Sequence, residues 1–439
     1  METQKKFEQR YSEKEIDCFL ESPLGQMWQL LPFDSLGNSV KLPTPKSPAG
    51  RKGWLNTQQA IGLLFLKHYE GLSDAKLLRN LSCNYSYQLF CGILLEEGVG
   101  IKDMSLLSTW RSKLGHYMDT SMFQCILQYH WREYFEDKQV CKMDASCIES
   151  YISYPTSVKL LWRAAEWVYT TFKSLFKRLK MPFPRNRFKE QQHKQRSYQY
   201  LKKPTFKQRK KREKALIHHL SSLLSQLETI GEQHFKPSQQ QRLRVIKEML
   251  QQQKNYFDEP ESKIENRIVS LHKPYVRPII RGKENKRVEF GAKVHFYQVD
   301  NFDFIDVVSF EAFNETTRFQ STIRQHQENI AEVKFVAADR IYQTNSNRKF
   351  CSENKIQNNF IPKGPAQKDE RNLKQTQKLK HVLSSDRSTR LEGAFGNVKN
   401  HYLANKNRAR TQENEIIWIV FATHTANVSK IRKKVADTT

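Results

Sequence analysis

Residues Val140 to Leu161 read VCKMDASCIESYISYPTSVKLL, and the fold turns on how their first half is read. β-Branched, apolar and small residues run together there, the composition of a buried strand, with Asp144 in its middle. An unpaired carboxylate in such a strand is costly unless something positive meets it, and a metal cation would do so. Two other places offer carboxylates of the same kind. VKFVAADRIY ends an apolar run at Asp339, and TRLEGAFGNVKNHY carries Glu392 at the start of an expected helix. Three carboxylates from separate elements can hold two divalent cations about 3.5 to 4 Å apart, the geometry that activates an attacking oxygen and steadies a leaving one in phosphoryl transfer. Hard oxygen donors favour magnesium or manganese over zinc.

The composition points to a polyanionic partner. Against 46 Asp and Glu stand 73 Lys and Arg, a net charge of +27, and each phosphate that a basic side chain neutralises releases condensed counterions. A ribosome-associated or merely soluble basic protein is the plainer alternative. At 439 residues there is room for two or three domains. Seven cysteines, odd in number and without a CxxC pair, speak against a disulfide framework and a zinc finger. The longest clean apolar run, Ile416 to Ala422, is too short to span a bilayer, and METQKKFEQR lacks a secretory apolar region, so no membrane partner and a cytoplasmic location are expected.

Taken in order, residues 1–49 read as an N-terminal extension with an apolar cluster around Trp28, Leu30, Leu31 and Phe33, closing in the Pro-rich linker KLPTPKSPAGRKG. Residues 50–138 read as an all-helical domain. Its helix bearing Ile61, Leu64, Phe65 and Tyr69 ends at Gly71, and Ser73 opens the next, which makes a helix-turn-helix or simply part of a bundle. Residues 158–285 read as a glutamine-rich, basic, mainly helical insertion containing Lys202, Lys203, Lys207, Arg209, Lys210, Lys211 and Arg212, with Tyr198, Tyr200 and Phe206 among them. Such a mixture suits phosphate contact with occasional base stacking, and the plainer reading is a solvated helical hairpin. Alternation from Val288 to Phe296 gives a strand, Asp300 to Asp303 a turn, and FIDVVSFEAF the returning strand. Expected next are a helix over 315–330, a strand over 333–339, a helix over 345–354, a short strand over 359–361, and polar helices on either side of Ser385.

Strand, insertion, strand, strand, helix, strand, helix, strand, helix is close to the order of a ribonuclease-H-like domain, here covering 139–157 and 286–439. The fold class expected is therefore α/β, with that catalytic domain interrupted by the basic insertion and preceded by the helical domain. Several segments carry a resemblance to the DDE transposases of bacterial insertion sequences, in the group that includes the insertion-sequence-four and insertion-sequence-five families. GRKGWLNTQQAIGLLFLKHYEGLSDAKLLRNL and SLLSTWRSKLG are similar to their N-terminal helical domain, and MDASCIESYISYPTSVKLL to their first catalytic strand. HKPYVRPIIRGKENKRVEFGAKVHF and SFEAFNETT resemble the approach to the second and third strands; ADRIYQTNSNRKFC and LEGAFGNVKNHY resemble the second and third catalytic motifs.

The resemblance implies that Asp144, Asp339 and Glu392 are the catalytic, metal-holding triad. It implies Lys399, two helical turns beyond Glu392, as the family's basic DNA-contacting residue, and offers Arg387 and Arg390 for its arginine, although neither stands at the most common spacing. The implied cofactors are two magnesium or manganese ions. The implied partners are double-stranded DNA, both terminal inverted repeats and target, and a second copy of the chain in a synaptic complex. The implied reaction is hydrolysis at the element's ends followed by attack of the freed 3′-hydroxyl on target DNA. Gly393 and Gly396 would let DNA or a neighbouring strand approach, or mark a frayed helix start. Another ribonuclease-H-like nuclease, or a catalytically silent DNA-binding derivative, is the alternative.

Overall fold

The computed structural model describes residues 10–43, 54–96, 99–280, 288–363 and 370–437. Of the linker, 41–53, residues 44–53 lie outside them. The described chain is mixed α/β and divides into two compact units, Met1–Ser150 with Ala292–Thr439, and Tyr151–Gly291. Seven strands form among the described residues: β1 (Val140–Ser150), β2 (Arg277–Ile280), β3 (Val288–Val299), β4 (Phe302–Ser309), β5 (Phe335–Ala337), β6 (Gln357–Asn358) and β7 (Lys406–Asn407).

In the first unit β3, β1, β5 and β6 lie side by side in that order. β5 runs parallel to β1, with Val140 opposite Phe335, and β6 runs parallel to β5, with Phe335 opposite Gln357. Parallel neighbours need crossovers. The helices Phe319–Asn329 and Asn345–Glu353 supply them. β4 returns antiparallel on β3 after a two-residue turn, Asp300 and Asn301, in which Asp300 takes φ 53°. The turn is tighter than the four residues expected because Phe302 and Asp303 already pair with Val299 and Gln298. Short β7 lies parallel to the far end of β1.

Helices fill the rest of this unit. Residues 10–43, expected as an extension, form three short helices, Glu13–Glu21, Pro23–Gln29 and Phe33–Asn38, whose Phe19, Leu24, Met27 and Leu36 enter the same core as the sheet. The helix Thr57–Glu70 is buried on every side from Ala60 to His68, which makes it a pillar of a bundle. Gly71, at φ 64°, ends it in a conformation a glycine takes without cost, and Ser73 caps the helix Asp74–Leu81. A second pillar, Gln412–Ala436, carries no expectation from sequence. Its Phe421 ring lies 5.1 Å from Phe65 and 5.4 Å from Phe123.

In the second unit four helices pack together: Ser157–Leu179, Phe188–Gln199, Phe206–Glu228 and Pro237–Asp258. Leu161, Ala164, Ala165, Val168 and Phe172 recur at helical spacing and are fully buried with Leu216, Leu220, Ile246 and Met249. β2 pairs with Val288–Gly291 in this unit, a short strand the sequence did not disclose. No helix among the described residues is long and apolar enough to cross a membrane.

Candidate functional site

Asp144 lies at the centre of β1, its side chain about four-fifths covered. Oδ1 accepts from its neighbour's backbone, Ala145 N, at 2.8 Å, and Oδ2 accepts from Arg387 Nη1 at 2.8 Å. Burial pushes its pKa above the ordinary carboxylate value; Arg387 and the Ala145 amide oppose that, while the nearby charges of Glu315 and Asp339 add to it. The expected strand over 333–339 is shorter than its apolar run, spanning only Phe335–Ala337. Asp339 therefore stands just past the end of β5, where Oδ1 accepts from Arg340 N at 2.7 Å and caps a single 3₁₀ turn, Arg340–Tyr342. Because β1 and β5 are neighbours and parallel, both aspartates reach one guanidinium: Arg387 Nη2 is 3.6 Å from Asp339 Oδ1.

Arg387 stands in a helix that does not break at Ser385 as expected. Glu370–Asp386 runs without interruption into a π-helical turn, Arg387–Leu391, and on into Glu392–His401. The residues of β1 that share the Asp144 face hold this helix. Lys142, with 2% of its side chain exposed, donates to Asp386 Oδ2 at 2.7 Å and to the Asp300 carbonyl at 2.8 Å. Ser146 Oγ accepts from Lys399 Nζ at 2.8 Å, so Lys399 is drawn onto β1 two residues from Asp144.

Glu392 is placed differently. Its side chain is exposed and forms no hydrogen bond or ion pair among the described residues. No group of three or more His, Cys, Asp or Glu there is close enough to hold a metal ion. The structure thus brings together Asp144 and Asp339, whose carboxylates fit a hard divalent cation, and leaves the third expected ligand outside. Arg390, expected beside the site, turns to Asp386 Oδ1 at 2.6 Å instead. A Cβ built at Gly393 or Gly396 would meet nothing within 4 Å, so no neighbouring strand among the described residues approaches either glycine.

Around the aspartates lies a buried layer that sequence reasoning missed. Lys293 on β3 pairs with Glu315 at 2.7 Å, and the Tyr342 hydroxyl lies 3.4 Å from the other oxygen of Glu315. Burial, followed by the charges of Glu315 and Asp144, raises the Tyr342 pKa far above that of a free phenol. His295 bridges the Tyr342 hydroxyl, at 2.8 Å, and Asp306, at 2.9 Å. Burial alone would raise the Asp306 pKa, but the forked contact from Arg318 and the His295 bond carry it below the ordinary value. Arg318 meets Asp306 from the short turn that follows the loop after β4, a contact the sequence does not disclose.

The basic residues of the second unit divide. Lys202, Lys203, Lys207, Arg209 and Lys211 are exposed. Lys210 turns inward, donating to the Phe257 carbonyl at 2.9 Å. Arg212 corrects the expectation of DNA contact: it is 6% exposed and its guanidinium is spent on Gln195 Oε1, Gln191 Oε1 and the Gln191 carbonyl, at 2.8 to 2.9 Å.

Among known proteins, a family model described as Transposase domain (DUF772) matches residues 12–113, and one described as Transposase DDE domain matches residues 336–426. No curated protein and no solved structure matches the chain. The first match takes in the three N-terminal helices, and the second runs from β5 through Asp339, Arg387 and Glu392 into the Gln412–Ala436 helix. Both ends of the chain thus match transposase families, the N-terminal one a transposase domain and the C-terminal one a transposase DDE domain, and together the two matches indicate a DDE transposase of an insertion sequence.

Proposed function

We propose that the sheet of the first unit is a ribonuclease-H-like catalytic domain, in which Asp144, Asp339 and Glu392 ligate magnesium or manganese. Its reaction is hydrolysis of DNA strands at the element's ends, followed by transfer of the freed 3′-hydroxyl into target DNA. The observation that carries this reading is the meeting of Asp144 and Asp339, from two adjacent parallel strands, on one guanidinium within the DDE region. Divalent cations held there would activate the attacking oxygen and steady the leaving one. The chain's own contribution is positional. β1 fixes Asp144 in a backbone that cannot slip without moving every side chain to the other face, and the 3₁₀ turn fixes Asp339. Lys399, bridged to β1 through Ser146, brings a cation to where a backbone phosphate would lie.

The Tyr151–Gly291 unit is the insertion of this reading, and its exposed Lys202, Lys203, Lys207, Arg209 and Lys211 supply phosphate contacts along end or target DNA. Cutting and joining two ends together calls for a second copy of the chain, so a homodimer in the synaptic complex belongs to the proposal, as does action on the bacterial nucleoid and kinship with the insertion-sequence-four and -five group.

The test is cleavage of a labelled duplex carrying the element's end, in magnesium or manganese, by the native chain and by Asp144→Asn, Asp339→Asn and Glu392→Gln. Metal-dependent nicking at the element boundary that each substitution abolishes, with end binding retained, is the expected result. End binding without cleavage by the native chain would favour a catalytically silent derivative, and cleavage without preference for the end another nuclease of the same fold.

A further inference from the structure

Lys142, Asp144 and Ser146 on one face of β1 hold Asp386, Arg387 and Lys399 of the helix above. Among the three contacts, that of Arg387 also reaches the second aspartate, Nη1 lying 2.8 Å from Asp144 Oδ2 and Nη2 3.6 Å from Asp339 Oδ1. Those are oxygens that a divalent cation shared by the two aspartates would take. A guanidinium and a doubly charged ion a few ångströms apart repel, most strongly beside Asp144, which is one-fifth exposed, and less beside Asp339, which is half exposed, so the two compete for these oxygens.

The helix around Arg387 has a matching irregularity. A π turn holds one residue more than an α turn, and such turns persist inside α-helices where local contacts stabilise them. Here the turn is Arg387–Leu391, anchored at its start by Lys142 on Asp386 and by Arg387 on Asp144, and the next residue is the exposed Glu392.

We propose that Arg387 is a positioning residue that exchanges with the divalent cation. It holds Asp144 and Asp339 in register, and cation loading expels it. The inference rests on the proposed role of the three acids as metal ligands. It reads Arg387 as a competitor of the metal first, and as a group available to DNA phosphate once displaced.

Manganese binding to the full-length chain, measured by titration calorimetry, tests the exchange without recourse to activity. Arg387→Gln should bind its first ion at least about fivefold more tightly than the native chain, about 1 kcal/mol, because no guanidinium must be displaced. It should also melt lower without manganese and gain more melting temperature from it than the native chain gains. Arg387→Lys keeps a charge near Asp144 but cannot fork onto both carboxylates; its affinity should fall between, and it carries the comparison should the glutamine variant not fold. Equal or weaker binding by folded Arg387→Gln, while Asp144→Asn abolishes binding, would overturn the exchange alone. Binding indifferent to Asp144→Asn would overturn the ligand assignment and the exchange with it.

Discussion

Replacing Lys142 by Met puts the clasp between β1 and the Glu392-bearing helix to the test. The ammonium is all but shut off from water and donates to Asp386 and to the Asp300 carbonyl. Removing one partner of a fully buried pair costs about 3–5 kcal/mol, because the other charge is left uncompensated. Asp386 is a quarter exposed and keeps Arg390 at 2.6 Å, which reduces its share to about 2 kcal/mol. The orphaned carbonyl adds about 1 kcal/mol. A total near 3 kcal/mol should lower the melting temperature of the first unit by roughly 6 °C or more, read by circular dichroism. The double variant Lys142→Met/Asp386→Leu removes both charges and should recover at least about 1 kcal/mol of that loss. Lys142 touches no proposed substrate group, yet cleavage should fall with it, since the helix loses its anchor one residue before Arg387. A Lys142→Met protein that melts within about 1 °C of the native one, or a double variant whose loss is the sum of the singles, would refute this account.

Acid should destabilise the first unit early. Burial lowers the pKa of His68 and His424 to about 3 and that of His326 to about 4, so these rings stay neutral when folded and take up protons when unfolded. Their contribution is complete above the unfolded value of about 6.5 and is lost as pH falls from there toward 4 to 3; by pH 5.5 the three together should cost about 4 kcal/mol relative to pH 7.5, and a melting temperature flat over that interval would contradict it. In the second unit, the triple change of Lys202, Lys203 and Lys207 to Gln should reduce the slope of log affinity against log salt for duplex DNA by about 2 to 3, while Arg212→Met should lower stability and leave the slope alone; the reverse pattern would mean that the exposed cations do not meet phosphate.

What the sequence discloses of this protein is what local pattern controls. β1 and β3 are legible because apolar or alternating residues define them, and Asp144 and Asp339 because a carboxylate within or ending an apolar run asks for a partner. The mixed α/β class and the helical N-terminal region follow from the same patterns. The Gln412–Ala436 helix escaped because Asn414, Thr423, His424, Thr425, Asn427 and Ser429 interrupt its apolar count. Tertiary partners meet several of those groups, as when the Asn427 amide bonds Asp303 N and O. Lys142 escaped for a related reason: in VCKMDAS it reads as a polar residue in a strand, and its meaning depends on an aspartate 244 positions away. The same is true of Glu315, whose partners Lys293 and Tyr342 come from a neighbouring strand and a turn.

The π turn is the deepest of these omissions. A sequence read at 3.6 residues per turn puts Glu392 and Lys399 on one side of a helix, and within Glu392–His401 that stands. It says nothing of their phase relative to Asp386, because the π turn Arg387–Leu391 adds a residue between them, and β1 holds the helix before the turn at Lys142 and after it at Ser146. Which side chains of the helix meet Asp144 is therefore decided by contacts with a strand far away in sequence, and Asp144 and Asp339 meet on Arg387 while Glu392, beyond the turn, is exposed.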